Sequence, residues 1–236
     1  KAAPNPDLSS ETSSGFELGV RLDNEFSSME VSIFRNEYED FIESNAIAPE
    51  FLRFGGIDPS DGLLTFKAVN LSEVEIDGIE VSGSIDLSMF SSGFSADQDY
   101  LLDDFSIRFA IAYADGEDVS ANQPLDSIEP LTGVIGLAYD SPNGNWGARL
   151  NLSMVQGKSP SDIAEGSVRP ETAGYGVIDL LAYIDIADQV MVNVGLFNLG
   201  DKQYIRWADS VGIGGDAPMR FSQPGFTAGI NLKFEI

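Results

Sequence analysis

The sequence predicts an all-β chain, an antiparallel transmembrane β-barrel segment of about nine strands. Apolar and polar residues alternate with a period of two in block after block. The extended runs reach about 10 to 15 residues, where strands of soluble proteins average about five or six. Connections between runs alternate short and long. A tilted strand of about 9–11 residues crosses a bilayer, and short turns at one rim with long loops at the other are the pattern of outer-membrane barrels.

Each run carries one apolar and one polar face. Phe16, Leu18, Val20 and Leu22 oppose Glu17, Gly19, Arg21 and Asp23. The segment from Met29 to Phe41 is strand-like, and its phase breaks near Phe34 and Arg35, which predicts a bulge. Ile79, Val81, Ile85, Leu87 and Met89 oppose Glu80, Ser82, Ser84, Asp86 and Ser88. Phe105, Ile107, Phe109, Ile111 and Tyr113 oppose Ser106, Arg108 and three alanines, with a weaker copy at Ile135, Leu137 and Tyr139. Trp146, Ala148, Leu150, Leu152 and Met154 oppose Gly147, Arg149, Asn151 and Ser153. Ile178, Leu180, Ala182, Ile184 and Ile186 oppose Asp179, Tyr183 and Asp185, and Val190, Val192, Val194 and Leu196 oppose Met191, Asn193 and Gly195. In the last run Phe226, Ala228, Ile230, Leu232, Phe234 and Ile236 share one face.

The short connections are Asn24 to Ser27, Ser91 to Tyr100, Asp140 to Asn145 and Ala187 to Asp188. Between them lie Glu43 to Leu63, Asp115 to Pro130, Gln156 to Ala173 and Gly200 to Pro224. With the long loops extracellular, the last strand runs to a periplasmic carboxyl end and Tyr139, Trp146 and Phe234 fall at the periplasmic interface as an aromatic girdle. An odd set of strands is not a closed bacterial barrel, since its first and last strands would leave unpaired edges in lipid. The remaining strands are therefore expected in an amino-terminal half, on the same protein or a separate chain.

Composition narrows the chemistry. The 236 residues carry 13 Lys+Arg against 38 Asp+Glu, a formal charge of −25 and a pI near 4.1. Nucleic acid is a poor partner for such a chain, because phosphate binding needs clustered cations. The sequence has no His and no Cys, so imidazole-based catalysis, histidine-ligated zinc or haem, disulfides and thiol chemistry are all excluded within it. It is 43% hydrophobic and 10% aromatic, too apolar for a disordered acidic tail. Nothing marks it as an enzyme.

Residue-level resemblance sharpens this. Asn5-Pro6-Asp7-Leu8, Glu11-Thr12-Ser13 and Glu17-Leu18-Gly19 resemble a segment of TonB-dependent outer-membrane receptors, and Asp40-Phe41-Ile42-Glu43 is similar to the strand end of their haemoglobin/transferrin/lactoferrin-receptor branch. Asn70-Leu71, Gly78-Ile79-Glu80 and Pro124-Leu125-Asp126-Ser127-Ile128-Glu129-Pro130 continue the pattern. So do Ile178-Asp179, Asn198-Leu199-Gly200-Asp201-Lys202-Gln203-Tyr204, Arg206-Trp207 and Gln223-Pro224-Gly225. Phe226 departs from it, standing where the family usually has Arg, and the chain ends in Ile236 rather than an aromatic.

The resemblance implies a barrel of about 22 strands, of which this chain supplies the last nine or so, closed by a plug domain with no counterpart here. It implies energy-coupled uptake of haem, haemoprotein-derived iron or a ferric chelate. The implied partners are the amino-terminal barrel half and plug, an inner-membrane energy-transducing complex, and the lipid bilayer with its lipopolysaccharide. A passive porin and a soluble acidic β-sandwich are the alternatives.

Within the chain, Asn198 to Asp201 and Gln223 to Gly225 read as turns. Tyr204, Arg206 and Trp207 form an exposed set suited to ligand contact, since aromatics and Arg anchor binding surfaces. Tyr204 can also serve as a phenolate ligand to iron. No cofactor is expected within the chain beyond Ca2+ in acidic loops, with Asp115, Glu117 and Asp118 as oxygen donors, although they lack EF-hand spacing. Asp58 and Asp61 form a second acidic loop cluster.

Overall fold

The computed structural model describes residues 1–44, 46–93, 102–187, 189–213 and 218–234. Among these residues twelve strands are formed: β1 (Ala2–Ala3), β2 (Thr12–Asp23), β3 (Ser27–Glu43), β4 (Phe66–Lys67), β5 (Val69–Asp86), β6 (Phe105–Asp118), β7 (Gln123–Pro124), β8 (Thr132–Asp140), β9 (Trp146–Val155), β10 (Tyr175–Ala187), β11 (Val190–Phe197) and β12 (Thr227–Phe234). The nine long ones make one antiparallel meander in the order β12-β11-β10-β9-β8-β6-β5-β3-β2, and the short β7 adds to β6. The pair β1 and β4 runs parallel in a separate small sheet. The nine long strands fall on the nine runs of alternating residues.

Register converts alternation into two continuous surfaces. Ile85, Ile107, Leu137, Leu150, Leu180, Leu196 and Ala228 are successive partners across seven strands. On the opposite face Ser84, Arg108, Gly136, Asn151 and Asp179 are successive partners. No protein layer covers the apolar surface among the described residues: Ile230 is 75% exposed, and Leu18, Ile186 and Leu232 are also open. A soluble sandwich buries its apolar faces against each other, so this single sheet with a bare apolar face is the wall of a membrane barrel. Buried apolar side chains lie largely in the connections, as at Ala48, Leu125, Trp207 and Ile213.

The rim with short turns carries an aromatic row on the apolar face. Tyr139 packs between Phe105 at 4.9 Å and Trp146 at 4.8 Å. Phe234, paired with Val190 beside the short turn after β10, lies at the same rim. Tyr139, Trp146 and Phe234 thus share one rim of the sheet, as expected.

Three details differ from expectation. First, there is no bulge near Phe34 and Arg35, which pair in regular register with β2 and β5. The phase breaks there because the strand leaves the apolar band: beyond Ile33 the same face carries Arg35, ion-paired to Glu75, while Phe34 lies over Gly78 on the opposite face. A register irregularity occurs instead between Asp185 and Ala187 in β10. Second, β5 stops at Asp86, and Leu87–Gly93 is a 3-10 segment rather than strand. The Asp86 carboxylate accepts the Ser88 N–H at 2.9 Å, a local bond that competes with the ladder. Third, the connection expected to be short, from Ser91 to Tyr100, spans 87–104 and is longer than the connection 119–131 at the opposite rim. Tyr100, Asp188, Glu235 and Ile236 lie outside the described residues, so the second half of that connection and the carboxyl-terminal departure do too.

Candidate ligand-binding loop cluster

Antiparallel meandering places the connections after β3, β6, β9 and β11 at one rim. They run over 44–68, 119–131, 156–174 and 198–226, and their side chains tie them into one cap. Trp207, 2% exposed, sits at its centre. Its indole Nε1–H donates to the Asp126 carbonyl at 2.7 Å, which joins the fourth loop to the second. The Arg169 guanidinium lies 4.7 Å above the ring and donates to the Trp207 carbonyl at 2.5 Å and to Ser210 Oγ at 3.2 Å, which joins the third. The Lys158 ammonium approaches the same ring at 5.6 Å. Asp126 in turn accepts the Ala164 N–H at 3.0 Å and the Ser167 hydroxyl. The first loop is reached through Gly212, where an added Cβ would lie 3.1 Å from Leu64 Cδ2.

Trp207 is therefore not part of an exposed contact set. Its bulk is committed to the cap, and the sequence concealed this because an aromatic in a polar loop reads as surface when its packing partners lie far along the chain. Arg206 is exposed and its Nε donates to Asp209 at 2.8 Å. Tyr204 is half-buried and stacks on Tyr175, ring centroids 4.1 Å apart and planes 31° off parallel. The three residues diverge: Tyr204 borders a cavity, Arg206 faces outward and Trp207 points into the cap.

Burial sets the electrostatics of the cap. It lowers the Lys158 ammonium and the Arg169 guanidinium from their ordinary values and raises the Glu129 carboxyl, with nearby opposite charges partly offsetting it at each. Arg169 and Lys158 were not singled out as candidates. The available signal was their scarcity, two cations within one loop of a chain with a charge of −25.

The acidic candidates separate. Asp115 and Glu117 share the face of Tyr113 at the end of β6, while Asp118 belongs to the other face and accepts the Ala121 N–H at 3.1 Å. The three do not converge on a cation, and no group of three carboxylates among the described residues does. Asp58 and Asp61 are neutralised from within: the Lys1 ammonium bonds Asp58 at 2.6 Å and also bonds Asp61. With the Ser60 hydroxyl and N–H also donated to it, the Asp58 carboxyl falls to about 2.

Asn198, expected in a turn, is the hinge of the fourth loop. It is 4% exposed with φ 52°, and its side chain donates to the Lys202 and Pro224 carbonyls and accepts the Lys202 N–H. The Asp201 carboxylate accepts the Phe226 N–H at 2.9 Å, tying the start of this loop to its end. A cavity of about 480 Å³ opens between the third and fourth loops, bordered by Pro170, Thr172, Lys202, Tyr204 and Ile213.

The family described as TonB dependent receptor-like, beta-barrel, matches residues 1–199. The chain belongs to this family. Its members are receptors rather than enzymes, and those related to this receptor chain are outer-membrane proteins. A probable hemoglobin and hemoglobin-haptoglobin-binding protein 4 of Haemophilus influenzae is 24% identical over 97% of this chain and 23% of its own length. Lactoferrin-binding protein A of Neisseria meningitidis is 26% identical over 99% of this chain and 26% of its own length. The receptor chain thus spans about a quarter of these relatives. Among solved structures, the copper transporter OprC superposes with a TM-score of 0.74 at 21% identity, covering 97% of this chain and 32% of its own. The siderophore receptor PirA from Acinetobacter baumannii gives 0.66 at 19% identity, covering 99% and 33%. These likenesses carry the fold.

Proposed function

We propose that this chain is the carboxyl-terminal part of a receptor that takes up haem, haemoprotein-derived iron or a ferric chelate by energy-coupled transport. The observation that carries the reading is the cap: four long loops locked together at one rim of a barrel wall, in a family of receptors. A loop cluster tied by cross-loop bonds and holding a cavity suits cargo capture, and the absence of His and Cys from the chain leaves no nucleophile–imidazole pair for catalysis. The names of the haemoglobin- and lactoferrin-binding relatives support an iron source as cargo.

On this reading the long loops are extracellular and the short turns and carboxyl end periplasmic. The uncovered apolar face meets lipid, with lipopolysaccharide around the outer rim, and the polar face lines a lumen filled by a plug. The exposed edges of β2 and β12 then pair with the other barrel strands, because unpaired backbone groups in lipid cost several kcal/mol each. An inner-membrane energy-transducing complex acts on the plug. Any histidine ligand to haem comes from outside this chain.

The test replaces Gly200 to Pro224 with a short turn in the intact receptor. Cargo binding and growth on the iron source are expected to be lost while the barrel keeps its heat-modifiable migration. Unchanged binding, or uptake that persists after the proton gradient is collapsed, would overturn the reading and favour a passive porin.

A further inference from the structure

We propose that the cavity between the third and fourth long loops is a binding site for a planar aromatic ligand bearing a carboxylate, with Tyr204 as its stacking face and Lys202 as its anion partner. This deepens the cargo-receptor reading and rests on it for its biological role.

The cavity is of the right scale, at about 480 Å³, within the range of about 300–1,000 Å³ typical of small-molecule sites. Pro170, Ala173, Ile205 and Ile213 give it apolar walls. Tyr204 borders it and Tyr175 does not, although the two rings are stacked. Tyr175 thus supports one side of Tyr204 and fixes its orientation, leaving the cavity side for a further ring to extend the stack. The Tyr204 backbone is fixed too, because its carbonyl accepts the Gln223 N–H at 2.8 Å.

The polar part of the site is built by Asn198. Its side-chain oxygen accepts the Lys202 N–H and its side-chain nitrogen donates to the Lys202 carbonyl, so the lysine backbone is clamped from both sides. The ammonium is left free: Lys202 is exposed and makes no ion pair among the described residues. In a chain with 38 acidic groups for 13 cations, a clamped and unpaired lysine on a cavity wall is set apart for an incoming anion. Glu171 borders the same cavity. Its charge opposes a ligand carboxylate, which directs that carboxylate toward Lys202, and it can accept a hydroxyl from the ligand ring.

Calorimetry on the intact receptor in detergent distinguishes the parts, using 2-naphthoate as the probe, cyclohexanecarboxylate as the non-planar control and 2-naphthol as the uncharged one. Naphthoate should bind at least about threefold more tightly than either control. Tyr204→Phe should retain binding, Tyr204→Ala should weaken it about threefold to tenfold, and Lys202→Met should weaken naphthoate about tenfold while sparing naphthol. Glu171→Gln should tighten naphthoate. Heat-modifiable migration checks that each variant is folded. No naphthoate binding, equal affinity for the three probes, or wild-type naphthoate affinity in both Tyr204→Ala and Lys202→Met would overturn the site. Growth on the iron source is scored separately: naphthoate binding lost together with growth supports both readings, whereas binding lost with growth intact upholds the site and removes it from cargo uptake.

Discussion

Trp207 Nε1 donates a hydrogen bond to the Asp126 carbonyl at 2.7 Å across 81 residues of sequence. Because Arg169 covers the same ring at 4.7 Å, one side chain holds three loops in place. Such an arrangement makes this rim a cooperative unit rather than a set of independent flaps. A ligand contacting one loop would then benefit from the support of the others, which lowers the entropy lost on binding.

Replacing Trp207 with Ala should loosen the cap at a local cost of about 3–5 kcal/mol, the range for removing a buried Trp. Hydrogen exchange should rise together in residues 119–131 and 156–174, with the barrel strands unaffected. Trp207→Phe keeps the ring stack under Arg169 and loses the hydrogen bond, so its effect should be smaller.

The two sheet faces should respond oppositely to charge. Leu232→Arg and Val192→Arg place a cation on the apolar face and should each cost about 2–4 kcal/mol. Asn231→Arg, on the polar face opposite Asn193, should cost little. Urea titration of the intact receptor folded into lipid vesicles measures the difference.

Asn198→Ala removes three hydrogen bonds and leaves an alanine at φ 52°. A left-handed backbone costs a non-glycine residue about 1–2 kcal/mol, and the unsatisfied groups add about 1–3 kcal/mol more. Asn198→Gly relieves the backbone but not the lost bonds, so it should fall between wild type and Ala in protease resistance of the fourth loop.

Acid should release the first loop. The Asp58 carboxyl is held at about 2 by Lys1 and Ser60, below its ordinary 3.8. Its contribution is therefore complete above about pH 4 and is lost as pH falls through about 2. Exchange of residues 56–66, followed between pH 5 and 2, should accelerate over that window, and Lys1→Met should move the onset to higher pH.

The strands were legible in the sequence because a β-wall between lipid and water imposes the same constraint at every second residue. Ile135, Leu137 and Tyr139 declare their face without reference to any partner, and a one-residue slip would reverse it. The turn at Asn198 was legible for a similar reason, since Asn and Gly tolerate left-handed backbone locally. Even the phase break at Phe34 and Arg35 was visible, although its cause, the end of the apolar band where Arg35 meets Glu75, needed the neighbouring strand.

Only the tertiary structure decided the fate of the loop residues. Nothing near Trp207 in sequence announces that Asp126 and Arg169 will enclose it, and nothing near Lys1 announces Asp58. The same holds for Tyr204, whose role depends on Tyr175 at the head of a different strand. A loop side chain takes its environment from whichever other loops the barrel brings to the same rim. Those contacts have no period along the chain, so the amino-acid pattern determines the wall while the arrangement of the strands around that wall determines the cap.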